Sequence, residues 1–152
     1  MATKKISELD PATALAGTEL LEIVQAASSR KVTADEIAKL ARYSIPFGFT
    51  SPPTANEALL IHVFAEAVTL PDNFTGARSH VGVNPTATAT LTVRQNGTSV
   101  GTISISTAGV ATFNTTGAEV VFAVGDVLRI DAQATPDTTL ANCAFTLIGR
   151  RT

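Results

Sequence analysis

A chain of 152 residues, 45% apolar and only 16% charged with a formal net charge of −2, is one or two domains in size and carries no basic footprint for nucleic acid. No apolar run reaches the roughly eighteen residues of a membrane-spanning helix, so no membrane insertion is expected. The charged fraction is well below the ~25% of ordinary soluble chains, which fits a surface partly buried in an oligomer better than a free monomer.

Charge is unevenly spread. Residues 1–45 hold twelve of the twenty-four acidic and basic side chains and every lysine: Lys4, Lys5, Lys31 and Lys39. The start of the chain turns acidic at Glu8 and Asp10, where a signal peptide would turn apolar, so synthesis in a cytoplasm without processing is expected. Ile6 and Leu9 form one short apolar face, and Asp10-Pro11 favours a turn because the residue before proline is pushed out of the helical region. Thr18–Gln25 is mixed: Leu21 and Ile23 alternate as in a strand, while Leu20 and Val24 suit a helix. We read it as a short strand ending at a turn over 27–29.

Thr33-Ala-Asp-Glu36 then has the pattern of a capping box, in which the Thr33 hydroxyl and the Glu36 side chain satisfy each other's backbone N–H groups. Val32 and Ile37 fit a hydrophobic staple around it. Asp35 and Glu36 suit the positive end of the helix dipole, and Lys39 and Arg42 the negative end. The spacing predicts a short helix over 34–42 with Ile37, Leu40 and Ala41 on its apolar face. At about two turns it needs tertiary support.

Residues 1–45 thus read as an arm. Pro46, Pro52 and Pro53 mark 46–54 as a stiff linker, because proline fixes φ and offers no N–H. A β-rich body is expected over 55–152. Its candidate strands are 58–65, 75–83, 88–95, 100–105, 109–113, 119–122, 127–132 and 143–148. Ala89, Leu91 and Val93 alternate inward against outward threonines, and Asn96-Gly97 supplies the positive φ angles of a type I′ hairpin turn into Ile103 and Ile105. Gly125-Asp126 and Pro136-Asp137 are further breaks. About seven or eight antiparallel strands at this spacing predict a mainly β chain with a C-terminal β-sandwich or jelly roll. A sandwich has edge strands, and no lysine remains here to protect them, which again points to assembly.

The residues give little sign of catalytic chemistry. His62 and His80 lie eighteen residues apart on separate expected strands, with no Cys or carboxylate at ligand spacing, and read as packing or interface residues. Asp126, Asp131 and Asp137 do not form the Asp-x-Asp loop of a calcium site. Cys143 is the single cysteine and reads as a small core hydrophobe. Asn73, Asn96 and Asn114 match the glycosylation acceptor pattern, as chance allows in a Thr-rich chain. With seven Phe, one Tyr and no Trp, the body lacks the aromatic faces that sugar-binding grooves commonly use. No metal or cofactor is expected, and no enzymatic activity.

The stretches Lys5–Gln25 and Arg30–Ile37 resemble an N-terminal segment widespread in structural proteins of tailed bacteriophages, and Asn96–Ile103, Phe122–Ile130 and Leu140–Gly149 resemble its companion β domain. That resemblance implies a non-enzymatic virion component, made in the host bacterial cytoplasm and assembled as a homotrimer. It implies attachment to capsid or tail proteins through the arm. Because no shaft of repeats lies between arm and body, a short decoration, spike or head-fibre-like protein fits better than a full-length fibre. Attachment would bury the arm's apolar residues: Ile6, Leu9, Leu20, Leu21, Ile23, Val24, Val32, Ile37 and Leu40. The alternative is a tail-fibre tip or adaptor that recognises a host-surface glycan or protein.

Overall fold

The computed structural model describes residues 20–25, 28–34, 37 and 41–152. The chain divides into two compact units, Met1–Leu40 and Ala41–Thr152.

In the first unit, β1 (Leu20–Gln25) pairs antiparallel with β2 (Ser28–Thr33), with Leu21 opposite Val32 and Gln25 opposite Ser28. β1 is the strand expected from Leu21 and Ile23. β2 was not expected, because Ser28-Ser-Arg-Lys31 shows no apolar alternation. Ala34 and Ile37 are helical, and residues 35, 36 and 38–40 lie outside the described residues. The helix predicted over 34–42 does not reach its expected end, since Arg42 is already in the next strand, paired with Arg150. A two-turn helix has little intrinsic stability with which to resist that ladder.

The second unit is a β-sandwich of two five-stranded antiparallel sheets. Its strands are β3 (Arg42–Phe49), β4 (Ala58–Val63), β5 (Val68–Leu70), β6 (Arg78–Val83), β7 (Ala89–Gln95), β8 (Thr98–Ile105), β9 (Ala111–Thr115), β10 (Val120–Phe122), β11 (Val127–Ala132) and β12 (Ala141–Arg151). One sheet runs β10-β5-β12-β3, with β6 also paired to β12. The other runs β4-β11-β7-β8-β9. A single 3-10 turn, Asp72–Phe74, joins β5 to β6.

Two of these strands correct the sequence reading. Residues 46–54 were expected to be a linker, yet 46–49 complete β3, which pairs with Cys143–Arg150 along its length. Pro46 is compatible with this because β3 is an edge strand, where a missing N–H is tolerated. Only the stretch beyond Phe49, with Pro52 and Pro53, connects without regular pairing. β5 escaped notice because three residues are too few to show a period. All three are buried, Thr69 included.

The remaining eight strands are those expected, with ends shifted by a few residues. β12 is much longer than the predicted 143–148. Asn96 and Gly97 adopt φ of 50° and 88°, the left-handed geometry of the type I′ turn between β7 and β8. The core holds Phe64, Phe74, Phe122, Leu91, Ile103, Leu128, Ile130 and Leu147, with the Phe64 and Phe122 rings 4.4 Å apart between centroids. Gly101 matters here: a Cβ at this position would meet the Phe74 ring at 2.7 Å, so only glycine lets the 3-10 turn seat its phenylalanine against β8.

Because β3 is part of the sandwich, a chain spanning 41–152 should unfold cooperatively in urea. A chain spanning 50–152 should lose that transition. It forfeits the β3 ladder and the burial of Ile45, alone about 1.5–3 kcal/mol. An unchanged midpoint for the shorter chain would show that β3 is dispensable.

Candidate functional site

The side chains that the sequence singled out for attachment fall in the first unit. Ile6, Leu9, Glu36 and Leu40 lie outside the described residues. Leu20, Leu21, Ile23 and Val24 are in β1, and Leu20 is the cross-strand partner of Thr33. Val32 and Thr33 are half-buried at the end of β2, and Ile37 is exposed.

In the sandwich, alternation decides which polar groups meet. On the outer face of the second sheet, Arg94 of β7 stands opposite Arg129 of β11. Asp131 lies two residues along, 7% exposed, and accepts from the Nε of both arginines, at 3.0 Å for Arg94. Arg94 also donates to the Gly97 carbonyl, tying the cluster to the hairpin turn. The sequence reading missed this cluster. The period-two pattern of two adjacent strands could have suggested it, had their pairing been known.

The two histidines are not brought together. His62 on β4 points inward, 3.0 Å from the Tyr43 hydroxyl and edge-on to Phe64, and so is a packed residue joining the two sheets. His80 on β6 is exposed on the other sheet. It borders an open groove of about 610 Å³ over β12, lined by Gly48, Thr50, Asn142 and Ala144 among others. Asn142 has φ of 54° within that strand. Cys143 is buried beneath the groove, and burial pushes its thiol pKa up.

The three aspartates close in number are also separated. Asp126 accepts from the Asn96 and Gln95 amides and the Ala123 N–H, hydrogen bonds that lower its pKa. Asp137 accepts from the hydroxyl and N–H of Thr139, the hydroxyl and N–H of Thr86 and the N–H groups of Ala87 and Leu140. Led by the Thr139 hydroxyl, these bonds hold its carboxyl well below the usual carboxylate range. Both aspartates fasten loops. Among the described residues no three His, Cys, Asp or Glu side chains are grouped to hold a metal ion. Asn73 and Asn96, in the glycosylation pattern, spend their side-chain oxygens on the N–H groups of Thr115 and Val127.

No protein-family model, curated protein or solved structure matches this chain.

The Asp137 knot carries a pH signature. A carboxylate whose pKa is lowered by folding stabilises the fold fully above the ordinary aspartate range near ~4. That contribution is lost as pH falls through this range toward the folded-state value. Asp137→Asn should lower the Tm at pH 7 and flatten its fall between about pH 5 and pH 2. Parallel acid limbs for the two proteins would show that Asp137 is not a source of the acid sensitivity.

Proposed function

We propose that this chain is a non-enzymatic structural component of a tailed-phage virion: a short, trimeric decoration, spike or head-fibre-like protein. The first unit anchors it to a capsid or tail protein, and the sandwich faces solvent. It is made in the host bacterial cytoplasm and resides on the particle. The observation that carries this reading is the division into two compact units at Leu40/Ala41, with all four lysines in the first. A charged, short unit beside a charge-poor sandwich is suited to attachment by one part and coverage by the other. Burial of apolar residues such as Leu21, Ile23 and Val32 supplies the adhesion. Three linked copies convert weak single contacts into durable attachment.

A second reading gives the sandwich a receptor role. The open groove over β12 sets the polar side chains of His80, Asn142 and Thr50 beside Phe49, Gly48 and Ala144, a lining that offers a host-surface glycan hydrogen-bonding groups and one aromatic ring. A glycan array with full-length protein, compared with His80→Ala, separates this role from decoration alone.

The anchoring role is tested with particles lacking the protein. Full-length chain should cosediment with them, and a chain of 41–152 should remain folded and stay in the supernatant. The cut belongs before Arg42, since removal of 42–45 would damage β3 itself. Equal cosedimentation of both chains would refute the anchoring role of the first unit.

A further inference from the structure

An asparagine loses its side-chain amide most readily when glycine follows it, because no side chain then hinders attack by the next backbone nitrogen. The chain has six asparagines, and only Asn96 precedes a glycine. Asn56, Asn73, Asn84, Asn114 and Asn142 precede Glu57, Phe74, Pro85, Thr115 and Cys143. Asn96 and Gly97 are both exposed, and a Cβ at Gly97 would meet nothing within 4 Å. Solvent reaches the pair freely, so neither burial nor crowding slows its chemistry.

That chemistry is a cyclisation. The Gly97 nitrogen gives its proton to hydroxide and bonds to the side-chain carbon Cγ of Asn96. The Cγ–Nδ2 bond breaks, and the amide nitrogen takes a proton from water and leaves as ammonia. Water then opens the five-membered imide at one of its two carbonyls, leaving aspartate or isoaspartate. For the ring to close, the Asn96 side chain must swing onto the Gly97 nitrogen, and ψ of residue 96 must rotate out of its type I′ value.

Both rotations are opposed by hydrogen bonds to the 123–127 segment. Asn96 Nδ2 donates to Asp126 Oδ1 at 2.8 Å, and Asn96 Oδ1 accepts from the Val127 N–H at 2.9 Å. The Asn96 N–H donates to the Val127 carbonyl at 2.9 Å. Asp126 is itself fixed, since its other oxygen accepts from Gln95 Nε2 and the Ala123 N–H. Each end of the side-chain amide is thus held by a group that is held in turn.

We propose that Asn96 is a deamidation site kept shut by the fold, with Asp126 and Val127 as the clamp on its side-chain amide. The site reacts only when the β7–β8 turn parts from the 123–127 segment, and the product opposes reclosure. Aspartate places a second carboxylate where Nδ2 met Asp126, and like charges at that distance repel. Isoaspartate adds a methylene to the main chain, which the two-residue turn between Gln95 and Thr98 does not accommodate. An opening that reacts is therefore permanent. This inference is independent of the virion reading.

The test follows Asn96 by peptide mass mapping of full-length protein in mildly alkaline buffer, folded and in guanidinium chloride. Opening the folded site breaks several hydrogen bonds, so conversion should be slower there than in the unfolded chain by about tenfold or more. Asp126→Ala should speed conversion in the folded protein on the order of tenfold. Asp137→Asn weakens a different loop and should leave the Asn96 rate unchanged, which separates release of the clamp from general loss of stability. Melting curves check that both variants are folded at the incubation temperature. Equal rates in folded and unfolded wild type overturn the proposal. So does an Asp126→Ala protein that converts no faster than wild type, or one whose gain Asp137→Asn matches. Asn96→Asp, which creates one of the two products directly, keeps the proposal testable should Asp126→Ala fail to fold. It should melt below wild type at pH 7, with the difference shrinking below about pH 4 as a carboxylate of the pair is protonated. A melting temperature equal to wild type at pH 7 would overturn the claim that conversion opposes reclosure.

Discussion

The second unit depends on β12 being held in one register. β3 and β6 form ladders with no other strand, and β10 reaches its sheet only through β5, which in turn pairs with the last residues of β12. Its eleven residues alternate so that Ala141, Cys143, Phe145, Leu147 and Gly149 face the core. A slip of one residue would exchange every one of them with Asn142, Ala144, Thr146, Ile148 and Arg150. Register is therefore specified by side-chain burial along the whole strand. It is also expensive in chain entropy, because β3 and β12 are the first and last strands of the unit and close the longest loop within it. Such non-local pairing makes folding slow in comparison with a helical protein of this size.

Where backbone ladders end, polar side chains take over. Asp137 binds the segments at 86–87 and 139–140 into one knot. Asp126 and Asn96 do the same for the β7–β8 turn and the 123–127 segment. The Asp72–Asn73–Thr115 cluster fastens the 3-10 turn to β9. In each case a short side chain supplies what an irregular loop lacks, a partner for backbone N–H groups. This is why Asp, Asn and Thr in this chain are concentrated at turns as well as on outward strand positions.

That division explains what could be read from the sequence. β7 and β8 were legible because Ala89, Leu91 and Val93 alternate cleanly and Asn96-Gly97 admits one kind of turn. Both signals are local. β3 was hidden by Pro46, whose tolerance depends on the strand lying at an edge, and edge position is a property of the assembled sheet. β5 was hidden by its brevity, and β2 by its polar residues. The candidate site was less legible still. His62 and Asp131 have clear partners in Tyr43, Arg94 and Arg129, but each contact crosses between strands whose pairing the sequence does not state. The attachment residues were chosen for apolar spacing, and the structure brings Leu21 opposite Val32, a pairing that spacing alone does not state.

Charge usage narrows the ways in which the sandwich can meet other molecules. All seven acidic residues beyond position 46 are engaged within the chain: Glu57 by Thr54, Glu66 by Arg151, Asp72 by Thr115, Glu119 by Arg150, Asp126 and Asp137 by loop amides, and Asp131 by two arginines. The remaining arginine of this part, Arg78, donates to the Ala77 carbonyl. Formal charge is thus consumed in fastening the fold. Apart from paired charges such as Arg94, Arg129 and Asp131, the outer faces carry mainly hydroxyls, small side chains and exposed aliphatic residues. Such a surface has little field with which to steer a charged ligand from a distance. Its recognition must come from shape, apolar burial and backbone hydrogen bonding at short range. The paired charges are therefore better understood as fasteners of turns and strand ends than as a long-range signal to a ligand.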